Sequence, residues 1–397
     1  MPSVFLKSDT SITANTEPLV IPKPKVAVFF RPPNGFGGGF GFDWVRKGDT
    51  SAVTGDTWYR DIIGSYNAAG TVFTKSNAHY SRLVNKYQKE DHPTKENDKY
   101  IVPVVTLMKE KKAKFTLKLD IKKEPVKIEI VFDEDLFAVN QTEITDKAIG
   151  KRNLIDFLEV ECLEEFDTNQ TIEIKADDEF AGRLIFLAND STHRGYKRIQ
   201  LVRVQVDFNS DGAVSSPSVS NERGNLRKFL RQSLTTAGIW MKDLDLSSDA
   251  TMNSTHRTTH PDGSFIVKKT TALATYLETK FAAENPGLEN HYKIFFFDER
   301  GGRYRTNGSY VGLNGYAKAI VAKSVVLFNT HNSASTIHEL LHAMGLYHTF
   351  SNSGEFTFEK NKTDNIMDYS HNASPPITRK STWYWQWKTV NGKLSSI

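Results

Sequence analysis

The chain of 397 residues carries 39% hydrophobic and 25% charged residues and a formal net charge of +4. That balance is typical of a folded protein, and the length predicts two or three domains. The slight positive charge, with no Lys/Arg stripe interleaved with aromatics, argues against nucleic acid or an anionic membrane as partner.

Residues 1–24 are polar, end in PLVIPKPK and read as an extended tail. They contain no basic n-region and no apolar core, so no secretory signal is expected, and no apolar run of about 18 residues predicts a transmembrane segment. The expectation is cytoplasmic synthesis, with export by a signal-independent route left open. A strand is predicted over KVAVFF, Lys25 to Phe30. RPPNGFGGGFGFDW follows, with Phe36, Phe40, Phe42 and Trp44 among its glycines. A phosphate-cradling loop would need a following Gly-Lys-Ser/Thr and an opening helix, and neither is present. The remaining readings are a glycine-rich turn whose aromatics fold onto a small core, or a docking surface. Residues 25–100 are taken as a small N-terminal module with one helix near Ser81 to Gln88.

From residue 101 the period becomes two. FTLKLDIK sets Phe115, Leu117, Leu119 and Ile121 on one face, and VKIEIVF does so with Val126, Ile128 and Ile130. TIEIKA, RLIFLA and RIQLVRVQVDF repeat the pattern, which predicts an immunoglobulin-like β-sandwich over 101–209. The single cysteine, Cys162, excludes an intrachain disulfide and any cysteine zinc cluster, and its alternation with acids turns it toward a β core. A linker over 210–221 follows. Asp207, Asn209, Asp211 and Gly212 match the first half of a calcium loop, but Ser218 stands where a bidentate Glu is required, so Asx turns are favoured over bound Ca2+.

Residues 222–397 read as mixed α/β. NLRKFLRQSLTTAGIWM carries Leu226, Phe229, Leu230 and Leu234 on a helical stripe, and TALATYLETKFAAE offers a second helix. KIFFFDE is a buried-strand candidate, and Ala317 to Asn329 reads as one or two strands.

HELLHAMGLYHTF comes next. Ile337, Leu341 and Met344 form one helical face. His338 and His342, four apart, share another face and can reach a single cation. Glu339 projects beside that cation. Gly345 tolerates the positive φ that reverses the chain and brings His348 back. Three neutral imidazoles leave a tetrahedral zinc one open position, which is the catalytic arrangement for a single Zn2+. HExxHxxGxxH specifies five residues and arises by chance in roughly a few chains per hundred thousand. NIMDYS, with Met367 in a polar turn and Tyr369 beyond it, is a separate feature.

Over His338 to Phe350 and Asn365 to Ser370 the chain resembles the metzincin zinc peptidases, and GLYHTF and MDYS look most like the pappalysin-type members. The resemblance implies an α/β (α+β) catalytic domain over 222–397. It implies that His338, His342 and His348 bind zinc, that Glu339 is the general base, and that Met367 forms a hydrophobic floor. Tyr369 matches a tyrosine that in some members approaches the metal or the reaction intermediate. The implied activity is that of a zinc-dependent endopeptidase, in which Glu339 takes the proton of a zinc-bound water as it attacks a peptide carbonyl. Protein or peptide substrates would lie extended along an edge strand, for which Ala317 to Asn329 is the candidate. SHNASPPITR would wall the pocket beyond the cleaved bond.

The remaining histidines have plainer readings. His256 and His260 sit in a Thr-rich loop, where a second metal is the lesser reading; His331 and His371 flank the motifs, with a surface polar role favoured over a place near the site. WYWQW, Trp383 to Trp387, is expected to pack a C-terminal helix under the site. Export signal, disulfides and a latency segment, common in metzincins, are absent, impossible and unrecognised here. An exported bacterial effector, loaded into a secretion or injection apparatus through its N-terminal region, would reconcile these departures. The rival class is a noncatalytic binding or adaptor protein in which zinc stabilises the fold, and Glu339 argues against it, since a structural zinc has no use for that carboxylate.

Overall fold

The computed structural model describes residues 25–49 and 56–397; the expected tail over 1–24 lies outside them. Period-two alternation has its physical consequence in the strand Lys112–Ile121, where Phe115, Leu117, Leu119 and Ile121 are fully buried. This strand lies between Val26–Arg31 and Gly150–Cys162, and Phe137–Val139 completes a four-stranded antiparallel sheet. A five-stranded sheet of Gly41–Asp43, Val104–Thr106, Glu179–Phe186, Gln170–Ala176 and Ile128–Val131 shares its core, and Cys162 is buried there.

Phe36, Phe40, Phe42 and Trp44 insert into the same core. The glycine-rich segment is therefore a turn serving the two-sheet unit, and its aromatics have no small core of their own. One pairing, Val104–Thr106 with Glu179–Phe186, is parallel, whereas an immunoglobulin-like sandwich has antiparallel sheets. Val126 does not join the Ile128/Ile130 face. It is 82% exposed because the strand begins only at Ile128, and the Val126 N–H donates to the Asp177 side chain at 3.2 Å.

RIQLVRVQVDF alternates in sequence, yet Ile199, Leu201, Val202 and Val204 are all buried. The strand Gly195–Gln205 is interior to a second, mostly parallel sheet and is covered on both faces. It pairs in parallel with Thr235–Asp245 and with Tyr292–Phe296. Ser324–Leu327 continues the sheet in parallel, and Gly315–Ala317 ends it as an antiparallel edge. This strand thus belongs with the C-terminal half, so the sheets do not follow the expected boundaries at 209/210 and 221/222. Helices Glu222–Arg231 and Ser333–Ala343 share a core with Ile199, Leu201, Ile294 and Leu327, while Leu273–Glu284 packs with Val202, Phe295 and Val326 on the opposite face. The first helix ends at Arg231, earlier than its stripe implies: the β-branched and aromatic residues of TTAGIWM enter the strand Thr235–Asp245 instead.

Residues 56–101 are joined to the C-terminal half. The hairpin Ile63–Tyr66/Phe73–Lys75 extends the strand Thr357–Phe358, and Tyr59, Ile62, Ile63 and Leu83 share a core with Phe356, Phe358, Trp383 and Trp387. The tryptophans of WYWQW pack against this N-terminal region, and the same helix abuts the region of the histidines, where Gln386 accepts from the Asn365 side-chain amide at 2.8 Å and Val390 joins the core of Ile337, Ile366 and Met367. The helix expected near Ser81 to Gln88 runs over Asn77–Val84, because the Ser76 side chain caps it by accepting from the His79 N–H at 3.2 Å. Arg46, fully buried, reaches Asp43 at 2.8 Å and Asp364 at 3.3 Å and stacks 3.7 Å from the Trp44 ring centroid. Among the described residues no helix is long and apolar enough to cross a membrane.

Candidate metal centre

The helix Ser333–Ala343 begins where the Asn332 side chain accepts from the Ser335 N–H at 2.9 Å. Ile337, Leu340 and Leu341 seat it in the core. It ends in a Schellman turn: the Gly345 N–H donates to the His342 carbonyl and the Leu346 N–H to the Leu341 carbonyl, each at 2.9 Å, with Gly345 at φ +109°. The chain reverses and His348 returns to the histidines of the helix.

The three Nε2 atoms form a triangle with sides of 3.1 Å (His338–His342), 3.0 Å (His342–His348) and 3.2 Å (His338–His348). A tetrahedral ion bonded at about 2.0–2.1 Å needs its nitrogens roughly 3.3 Å apart, so one ion fits this donor set. The His338 Nδ1–H donates to the Ile366 carbonyl at 2.8 Å, and the His342 Nδ1–H donates to the Leu346 carbonyl at 2.6 Å. Carbonyls only accept, so both rings carry their proton on Nδ1 and present Nε2 as a lone pair. Burial holds all three imidazoles below their ordinary range, and His348, with the added repulsion of His342 and Lys360, falls to about 3. Among the described residues this is the one histidine, cysteine or carboxylate group assembled to hold a metal.

Met367 is fully buried in the same core as the helix, its N–H donating to Asn365 Oδ1 at 2.9 Å and its carbonyl accepting from the Thr349 N–H at 3.2 Å. The turn that carries it thus holds both His338, through Ile366, and the loop after His348. The Tyr369 ring lies 4.8 Å from that of His348 and 5.7 Å from that of His338. Glu339 Oε2 accepts from the Ala317 N–H at 2.8 Å, and burial pushes its carboxyl up to about 7 against the lowering effect of that bond and of Arg379. A cleft of about 480 Å³ is lined by Gly315, Tyr316, Ala317, Glu339, His348 and Tyr369 among others. The edge of the sheet is Gly315–Ala317, so of the expected segment Ala317 to Asn329 only Ala317 lies on it; Ser324–Leu327 is interior.

The other sequence candidates lie elsewhere. His256 is buried against the Tyr276 ring at 4.7 Å, and His260 pairs with Asp262 at 2.8 Å. His331 Nδ1–H donates to the Phe328 carbonyl at 2.7 Å, and His371 is exposed, 6.1 Å from the Tyr369 ring. In the calcium-like loop the Asp207 carboxylate accepts from the Asp211 and Gly212 N–H groups at 3.3 and 2.9 Å, and Asp211 makes an Asx turn by accepting from the Ala213 N–H at 2.9 Å. Two residues escaped the sequence reading. Asp368, fully buried, accepts from the N–H groups of Asn361, Thr363 and Tyr369 and from the Thr363 hydroxyl, which fixes the turn. Its place between Met367 and Tyr369 was the available signal. Arg379, the last residue of SHNASPPITR and not singled out within it, donates to the Asp368 carbonyl at 3.2 Å.

These features bring together three histidines able to hold one metal ion, with an adjoining carboxylate. No family model matches the chain, and no curated protein matches it. Among solved structures it is similar to metalloproteinase-II from Bacteroides fragilis, at 9% identity and a TM-score of 0.29, covering 75% of this chain and 88% of that one. So loose a likeness carries no weight here, and the class rests on the histidine geometry.

Proposed function

We propose that the chain is a zinc-dependent endopeptidase of metzincin type, with the motif pattern of the pappalysin-type members. The observation that carries the proposal is the triangle of His338, His342 and His348 Nε2 atoms beside Glu339, a carboxylate the ligand set does not need. Zinc bound there would supply Lewis acidity toward a peptide carbonyl and toward water. Glu339 takes the proton of the attacking water and passes it to the leaving amine. The Ala317 N–H orients that carboxylate, and the same edge strand offers its backbone to an extended peptide, so base and scissile bond share one frame. Tyr369, beside His348, donates to the developing oxyanion, and Met367 fills the floor.

In this reading the two-sheet unit positions or binds and does no chemistry. Its use in loading an exported bacterial effector is part of the proposal, and native protein retained in the producer's cytoplasm with every secretion machine intact would count against it. The decisive experiment compares wild type with Glu339→Ala, both zinc-loaded, on a broad peptide library. Chelator-sensitive cleavage by wild type alone is expected. Equal, chelator-insensitive activity, or none from either protein, would return the chain to the noncatalytic binding class.

A further inference from the structure

The four-stranded sheet and residues 56–101 meet around a cavity of about 780 Å³ that shares no residue with the cleft beside Glu339. Phe29, Lys118, Asp120 and Lys151 of the sheet line it, and so do Trp58, Arg60, Tyr80 and residues of the segment 92–101. Its size is that of a small-molecule site, and such sites favour junctions between structural units.

The charge around it is one-sided. Lys47, Arg60, Lys95, Lys99, Lys118 and Lys151 face Asp49, Asp98 and Asp120. Each of these carboxylates is already met: Asp49 by Arg31 at 2.6 Å and Lys118 at 3.2 Å, Asp98 by Lys95 at 3.4 Å, and Asp120 by Lys122 at 3.2 Å. Lys99 is engaged by Asp91, which does not line the cavity. Lys47 and Lys151 have neither an ion pair nor a side-chain hydrogen bond among the described residues, and Arg60 meets only the Trp58 ring, 5.5 Å from its centroid. Lys47 is half-buried, and burial holds its ammonium below the ordinary range against the pull of Asp98, so an anion beside it would favour its charged form. His92, only 6% exposed, lines the cavity as well. Its Nδ1 accepts from the Thr94 N–H at 3.2 Å, which leaves the proton of the neutral ring on Nε2, and that N–H has no partner among the described residues.

A phosphoryl group brings close to two charges and three acceptor oxygens to one point, where several ammonium groups can share it, whereas a carboxylate favours the planar fork of Arg. Five of the six cations here are lysines, and they come from separate segments of the chain. Phe29, Trp58 and Tyr80 add aromatic surface for an organic part. We propose that this cavity is a second ligand site, which takes a phosphorylated small molecule with its phosphoryl group drawn to Lys47, Lys151 and Arg60. The inference is independent of the peptidase reading.

Calorimetric titration of the full zinc-loaded chain tests it with ribose 5-phosphate, adenosine monophosphate and adenosine. Both phosphates should bind one to one, and adenosine about tenfold more weakly or not at all. Tighter binding of adenosine monophosphate than of ribose 5-phosphate would identify a nucleotide resting on the aromatic surface, and equal affinities a sugar phosphate. Lys47→Gln should weaken both phosphates about tenfold, as for one lost charge-assisted contact. Lys151→Gln, at an exposed strand position, should weaken them too, and keeps the test decisive if Lys47→Gln does not fold. Failure of both phosphates to bind at about 1 mM, or binding that neither variant weakens, overturns the inference. Binding abolished by His342→Ala yet unchanged in both lysine variants overturns it too, since the phosphate would then sit on the zinc. So would a glutamate-rich peptide that binds more tightly than either phosphate and loses that affinity in Lys47→Gln, which would make the cavity an acidic-peptide site.

Discussion

Gly345→Ala tests whether the return of His348 depends on backbone handedness. Gly345 sits at φ +109°, a conformation L-residues avoid, and its N–H and that of Leu346 close the helix at 2.9 Å each. An added methyl would meet Thr389 Cγ2 at 3.2 Å and Val321 Cγ2 at 3.5 Å, side-chain contacts that need shift only by tenths of an ångström. Space is therefore the smaller obstacle. Holding a non-glycine residue in so sparse a backbone region costs on the order of 1–3 kcal/mol. If the turn persists, metal-free protein loses that stability. If it relaxes, His348 leaves the triangle and zinc affinity falls on the order of 10–100-fold or more. Urea unfolding of the metal-free protein reads the first outcome, and competition for zinc with a chromophoric chelator reads the second. An unchanged midpoint together with an unchanged zinc affinity would refute the reasoning.

Three further outcomes are expected. Arg46→Ala should cost about 3–5 kcal/mol in urea unfolding, because it leaves the buried carboxylates of Asp43 and Asp364 without their cation; a loss below about 1 kcal/mol would show that the pair is not a structural joint. Burial alone would raise the Asp49 carboxyl, but Arg31 and Lys118 hold it down at about 2, from an ordinary 3.8. A depressed folded pKa stabilises above pH ~4 and the gain is lost as pH falls toward ~2, worth about 2 kcal/mol. Wild type should therefore lose more stability than Arg31→Met over that window, and parallel pH profiles would contradict the assignment. Removing metal by dialysis against a chelator should lower the unfolding midpoint, and free zinc at about a hundredfold over its Kd should restore about 2.7 kcal/mol. His342→Ala should abolish that zinc dependence, and a zinc response in the variant equal to wild type would exclude this histidine as a ligand.

What was legible in the sequence was what is local. His338 and His342 lie one helical turn apart, and Gly345 announces the reversal, so the triangle follows from spacing within a single segment. Strands with one buried face, such as Lys112–Ile121, also declare themselves. The strand Gly195–Gln205 does not: Val202 and Val204 alternate as in a sandwich, while Ile199 and Leu201 before them are buried on the other face. Only its parallel neighbours reveal that it is interior. Long-range contacts are silent for the same reason. Arg46 and Asp364 meet across 318 residues of chain, and nothing near either predicts the other. Arg379 likewise meets the Asp368 carbonyl, at 3.2 Å, across a loop whose closure nothing in its neighbouring residues announces.

The pairing of Ile63–Tyr66 with Thr357–Phe358 bears on how the chain must be made. A ribosome delivers Tyr59, Ile62 and Leu83 long before Phe356 and Trp383, the residues that cover them. At 5–20 residues per second that apolar face stays wet for roughly 15–60 s. The N-terminal face and the loop that carries His348 toward Met367 are then completed together, late in synthesis, and a polypeptide cut between them would leave each piece exposing half of a core meant for the other.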